Sequence, residues 1–119
     1  MAEVAYTATR PLDGGSVLLF SWAGLTDGDT GDVIARPGPA GAHCTVQFTT
    51  STSGPTTMQV SNDGTNWDTM KDTGGNDVTV TSGNTGAFEV QTAAIYMRPL
   101  GGTSLTEGNV SLAFREAFD

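Results

Sequence analysis

An all-β fold, a single antiparallel β-sandwich or a small barrel, is what the sequence predicts, and three observations carry the prediction. Apolar and polar residues alternate over short runs, as where Met58 and Val60 are separated by Gln59 and Ser61. A period of two places one side of an extended chain against a core. Runs of strand length are cut by Gly-, Asn- and Asp-rich turn signals at intervals of roughly 8–12 residues. Charged residues are only 15% of the chain and glycines number 16, while Leu, Glu and Lys, which long helices favour, are sparse. At 119 residues, with no linker, composition shift or internal repeat, one domain is expected.

Taken in order, Ala2 to Arg10 read as a first strand, with Val4, Tyr6 and Ala8 on one face and Glu3, Thr7 and Thr9 on the other. A strand this polar either pairs within the domain or lies on a neighbour as an arm. The chain therefore divides into residues 1–12 and a sandwich domain over 13–119. Pro11 to Gly15 is a turn. Ser16 to Leu25 is the most apolar stretch; Val17, Phe20 and Trp22 favour a strand over a short helix, and the unbroken apolar character predicts cover on both faces. Thr26 to Asp32 is an acidic, glycine-punctuated loop. Asp32 to Arg36 is a short strand halted by Pro37 to Gly41, whose prolines cannot donate to a ladder and mark an edge or a loop. His43 to Thr49 turns Cys44, Val46 and Phe48 to one face, and Thr50 to Pro55 is the next turn.

The hairpin over Met58 to Met70 is the best-specified element. Its alternating run ends in Asn62-Asp63-Gly64, a turn sequence because glycine takes positive φ freely and Asn or Asp tolerates it. Trp67 and Met70 supply the returning strand, but not in strict alternation, so a β-bulge or a longer loop between Asn62 and Trp67 is expected. Lys71 to Asn76 turns again, and Asp77 to Thr81 carries Val78 and Val80 inward. Ser82 to Gly86 is a turn, Ala87 to Gln91 presents Phe88 and Val90, and Ile95 to Leu100 follows. Gly101 to Gly108 is a loose loop, and Asn109 to Phe114 closes the domain with Val110, Leu112 and Phe114 aligned.

The formal charge of −8, the sequence pI of about 4.2 and five scattered basic residues exclude a nucleic-acid surface. Such a surface needs clustered Lys and Arg to release counterions. The acidic exterior reads as a solubility device. Neither a signal peptide nor an apolar run of about 18 residues is visible, so a soluble protein made in a cytoplasm, without a membrane partner, is expected.

Groups for chemistry are few. Cys44 has no partner for an intramolecular disulfide and reads as a small buried hydrophobe. A catalytic pair with His43 fails because adjacent strand residues point to opposite faces, and no second His exists for zinc. Asp27, Asp29 and Asp32 alternate as ligands of calcium loops do, but the closing Glu is missing, and a solvated turn is the reading. No pair of carboxylates stands out for glycoside hydrolysis. Trp22, Trp67 and Tyr96 are expected in the core rather than as a sugar-stacking platform. The expectation is a non-enzyme with no cofactor and no metal.

Val60-Ser61-Asn62-Asp63-Gly64-Thr65-Asn66-Trp67, followed by Ala93-Ala94-Ile95-Tyr96-Met97-Arg98-Pro99 and a final strand at Asn109 to Arg115, resembles small β-sandwich proteins of tailed bacteriophages. Many of these are jelly-roll-like head decoration (cement) proteins. The resemblance spans residues 43 to 116. The same two stretches are similar, more weakly, to discoidin-type modules, which are longer and commonly carry a bridging cysteine pair. The phage resemblance implies a non-enzymatic virion protein on the exterior of the capsid, synthesised in the host cytoplasm and stabilising the shell by bridging its subunits. Its partners would be the major capsid protein and copies of itself, as a homotrimer or a dimer, and symmetric repetition would turn modest contacts into avidity. The expected contact residues are Glu3, Tyr6, Arg10 and Leu12 of the N-terminal segment, Asp29 in the acidic loop, and Arg36 and Pro37 in the loop after it. Trp67 is expected to pack the sandwich. The alternatives are a phage tail, fibre or baseplate component of the same sandwich type, and a carbohydrate-binding module, which an exposed Trp22 or Trp67 would favour.

Overall fold

Alternate side chains of the long strands meet between two sheets, and that meeting is the core. The computed structural model describes residues 2–10, 17–37 and 42–115. Its strands are β1 (Glu3–Val4), β2 (Tyr6–Thr9), β3 (Val17–Leu25), β4 (Thr30–Gly31), β5 (Ile34–Ala35) and β6 (Ala42–Thr52) in the first half of the chain. The second half supplies β7 (Thr56–Ser61), β8 (Asp68–Thr69), β9 (Thr79–Val80), β10 (Gly86–Thr92), β11 (Tyr96–Gly101) and β12 (Glu107–Arg115). One sheet runs β1-β4-β11-β7-β8, with β5 also on β11 and β9 also on β7; the other runs β10-β6-β12-β3-β2. All pairings are antiparallel except β1 with β4. The fold is the predicted antiparallel, jelly-roll-like β-sandwich. The first is the outer-motif sheet, built on β7 and β11, and the second the terminal sheet, built on β6 and β12.

The predicted inward faces recur. Cys44, Val46 and Phe48 of β6, Val90 of β10, and Val110, Leu112 and Phe114 of β12 are all buried, facing Met58 and Met97 of the other sheet. Phe88 packs edge-on against Phe48, with centroids 5.8 Å apart. The hairpin after β7 has the longer loop rather than a tight two-residue turn. Ser61 Oγ accepts from the Asp63 and Gly64 amides, and Asp63 Oδ1 accepts from the Thr65 and Asn66 amides. Gly64 takes the positive φ, +75°, that the Asp-Gly pair predicts.

Three expectations need correction. The N-terminal stretch is not one strand: β1 belongs to the outer-motif sheet and β2 to the terminal sheet, so the chain changes sheets at Ala5. Alternation cannot reveal the switch, because Val4 from one sheet and Tyr6 from the other face the same interior. Second, β3 is covered on one face only. Phe20 and Trp22 are buried, but Leu19 and Ser21 are half-buried and Ala23 is exposed on the outer side, where no further layer lies among the described residues. Third, residues 102–106 are not loose. Leu105 is 2% exposed and plugs one end of the core, while Asp27 N–H donates to its carbonyl and Thr106 N–H to that of Thr52. The expectations over Pro11 to Ser16 and Gly38 to Gly41 lie outside the described residues.

Pro99 occupies an unusual place, inside a sheet rather than at its edge. Gly101, two residues on, donates its N–H toward Asp29 O, so the Pro99 nitrogen faces the same flank. On that flank β4 pairs at Leu100 and β5 at Tyr96 and Met97, leaving the chain between them unpaired opposite Pro99. The missing donor therefore costs no ladder bond. The proline ring instead packs on Gly31, against which Trp22 also lies. Trp22 is 1% exposed and satisfies its indole N–H on Asp32 O at 3.2 Å.

Candidate interaction surface

The two stretches that carry the family resemblance fold onto one another on the outside of the outer-motif sheet. β7 and β11 pair with Arg98 opposite Gln59 and Tyr96 opposite Ser61. Because Met58, Met97 and Pro99 turn inward, Gln59, Tyr96, Arg98 and Leu100 turn outward. The loop after β7 then lays Trp67 over Arg98, with the guanidinium carbon 4.2 Å from the ring centroid. Arg98 Nε donates to Gln59 Oε1 at 2.9 Å. A Cβ at Gly64 would stand 3.8 Å from the Tyr96 ring, so the turn itself rests beside that tyrosine. Trp67 and Arg98 are thus stacked and half-exposed, with Tyr96, also half-exposed, two residues along the same face of β11.

Electrostatics stiffen the loop that delivers Trp67. The Asp63 carboxyl is held far below its ordinary range by the Asn66 amide, then by the Thr65 amide, the Asn66 side chain and the Ser61 hydroxyl. Burial lowers the Arg98 pKa, and the carboxylate of Glu3 opposes that shift. Ala2, Glu3, Gly28, Thr30 and Leu100 line an open groove of about 400 Å³ beside this cluster.

The six predicted contact residues that are described do not gather into one site. Glu3 is exposed on β1 and faces the Arg98 neighbourhood. Tyr6 is 38% exposed on the far side of the sheet switch, edge-on to Phe20 at 5.3 Å and to Trp22 at 6.0 Å. Arg10 is exposed after β2, and Leu12 lies outside the described residues. Asp29 is 7% exposed rather than solvated. Its carboxylate accepts from the Thr26 hydroxyl at 2.7 Å, the Thr26 amide at 3.0 Å and the Ala2 amide at 2.9 Å, which lowers its pKa and ties β1 down. Arg36 is half-buried, its Nη1 donating to the carbonyls of Ala93 and Ala94, and Pro37 beside it is exposed. Those two lie beyond β5, with Arg36 N–H on the Ile95 carbonyl, five residues or about 16 Å along the chain from the Glu3 row at Leu100.

Trp67 and Tyr96, expected in the core, are half-exposed, and Arg98 and Gln59 were not among the expected contact residues. The signal was present in the two motifs, but their meeting depends on the β7–β11 register. His43 and Cys44 face opposite ways as expected, the first exposed and the second buried. Among the described residues, no three His, Cys, Asp or Glu side chains cluster in a metal-binding arrangement.

By fold, the molecule is a jelly-roll-like sandwich. No protein-family model and no curated protein sequence matches the chain. Among solved structures it is similar to the SPBc2 prophage-derived protein YomS, with a TM-score of 0.61 at 11% identity over 82% of this chain and 93% of that one. A cupin domain from Bordetella pertussis Tohama I aligns over 98% of this chain and 99% of its own at 14% identity and a TM-score of 0.49. A protein of Bacillus endospore appendages, described as disulfide-linked pili, aligns over 96% and 91% at 12% identity and a TM-score of 0.46.

Proposed function

We propose that the protein is a non-enzymatic structural component of a tailed-phage virion, which binds the exterior of the assembled capsid and bridges its subunits. One observation carries the reading most. Of the residues that resemble decoration proteins, Ser61, Met97 and Pro99 turn into the core, while Trp67, Arg98 and Tyr96 remain half-exposed on the outer side of the sheet. Trp, Tyr and Arg are the residue types that anchor protein interfaces. They offer large contact area, and here little side-chain freedom remains to be lost on docking. An acidic exterior that keeps free copies soluble is in keeping with such a role.

Copy number in purified virus particles, measured by quantitative mass spectrometry, tests the reading. Hundreds of copies, comparable with the major shell subunit, are expected. A few dozen or fewer would move the protein to the tail, and absence from the particle would remove both viral roles.

The half-exposed Trp67 favours one other reading, a carbohydrate-binding module. Trp22 is sealed in the core, so glycan-induced quenching of tryptophan emission would report Trp67 alone. Saturable quenching would replace the decoration reading. Against it stands the Arg98 guanidinium, which already occupies one face of the indole ring.

A further inference from the structure

Arg98 is held in place rather than left to swing. Its guanidinium lies over the Trp67 ring, and Gln59 takes the Nε hydrogen. Gln59 is placed in turn between Arg98 on β11 and Thr69 on β8. Among the described residues, that is the one hydrogen-bond acceptor Arg98 has. The edge carrying Nη1 and Nη2 is therefore uncommitted, and its two parallel N–H groups match the two oxygens of a carboxylate. Because the stack and the Nε bond restrict the side chain beforehand, less freedom is lost when a ligand arrives.

Two further observations select the ligand. Glu3, on a two-residue edge strand, already sets a carboxylate near enough to act on this guanidinium. The groove beside it has Leu100 on its floor, two residues from Arg98 on the same face of β11. A carboxylate with apolar neighbours fits both features at once.

We infer that Arg98 is a preformed carboxylate receptor, in which an aspartate or glutamate of the capsid subunit docks on the Nη1/Nη2 edge and seats its apolar neighbours in the groove at Leu100. The inference rests on the decoration reading for the identity of the partner; the carboxylate site stands without it.

Acetate is the first probe, applied to the intact 15N-labelled protein at constant ionic strength maintained with chloride. The Arg98 Nε–Hε resonance should move along a saturable curve, and Trp67 emission should change with the same midpoint. A movement linear in acetate, or equal in chloride alone, overturns the site. A resonance that moves with protein concentration in the absence of acetate would hand the fork to a second copy, and overturns it as well. The second arm uses virus particles lacking the protein. Arg98→Lys keeps the charge but loses the fork and the flat stacking surface, and it should bind at least about tenfold more weakly than wild type. Equal binding by folded Arg98→Lys overturns the docking surface. Failure of the wild type to bind particles would remove the capsid as partner, while the acetate titration still decides the site.

Discussion

A methyl group added at Gly31 would lie 2.5 Å from Cγ and Cδ of Pro99 and 2.5 Å from Cδ1 of Trp22. All three are ring atoms in the packed interior, so relief requires a shift of backbone. Gly31→Ala should therefore destabilise by about 1–3 kcal/mol, read as a lower urea midpoint at unchanged m-value. Cys44 is the opposite case, a side chain whose chemistry the fold silences. Burial, with a smaller contribution from the Glu89 carboxylate, raises its thiol to about 12. A thiol reagent should label it only through opening of the structure. In the unfolded chain the thiol ionises near about 8.5. The stabilisation it contributes is thus complete below that pH and is lost as pH rises toward 12. A Cys44→Ala variant should show a flatter Tm profile over that window. Asp29 and Asp63 work the other way, both held below their ordinary 3.8. Their stabilisation is present above that value and is lost as pH falls through the depressed folded-state values. Tm should decline from about pH 4 downward, and Asp63→Asn should weaken that decline.

Among the elements, those that fill a single core face were legible in the sequence. β6, β10 and β12 each alternate cleanly, and one face of each touches the opposite sheet along most of its length. Legibility failed where a neighbour distant in sequence sets a residue's surroundings. Leu105 lies among Gly, Thr and Ser with no period to mark it, and only the closure of β11 against β12 makes it core. Trp67 is large and aromatic, which in a pattern means buried; its actual companion, Arg98, arrives through pairing of β7 with β11. The expected solvated acidic turn failed likewise, because the donors that bury Asp29 include the Ala2 amide, 27 positions away. β1 depends on that carboxylate, since its own ladder is short: Thr30 N–H donates to Ala2 O and Asp32 N–H to Val4 O. Asp29→Ala should free β1 and speed exchange of the Thr30 and Asp32 amides by at least about tenfold. Amides between β7 and β11 should keep their protection.

For the molecule as a whole, nearly every pairing joins distant stretches. β12 lies between β3 and β6, bringing Gly108 against Leu25 and Phe114 against Cys44. Such closure is entropically costly before any contact forms, which places refolding in the range of roughly milliseconds to seconds. Stopped-flow tryptophan emission should show it there, with no microsecond phase carrying the full amplitude. The all-β class followed from alternation and turn spacing, which left a sandwich and a small barrel both open. Sheet order did not, because the pattern specifies which side faces in and not which strand lies alongside.

The placement of β12 between two partners, against the edge position of β2, has a mechanical consequence. A load applied along β12 from its Arg115 end must slide two hydrogen-bonded ladders past one another at once. A load drawn outward through β2 opens a four-residue edge strand one pair after another, as a zipper opens. The molecule is therefore strong in one pulling direction and weak in the other. As a brace against pressure from within a shell, it would hold best if the tension entered through β12.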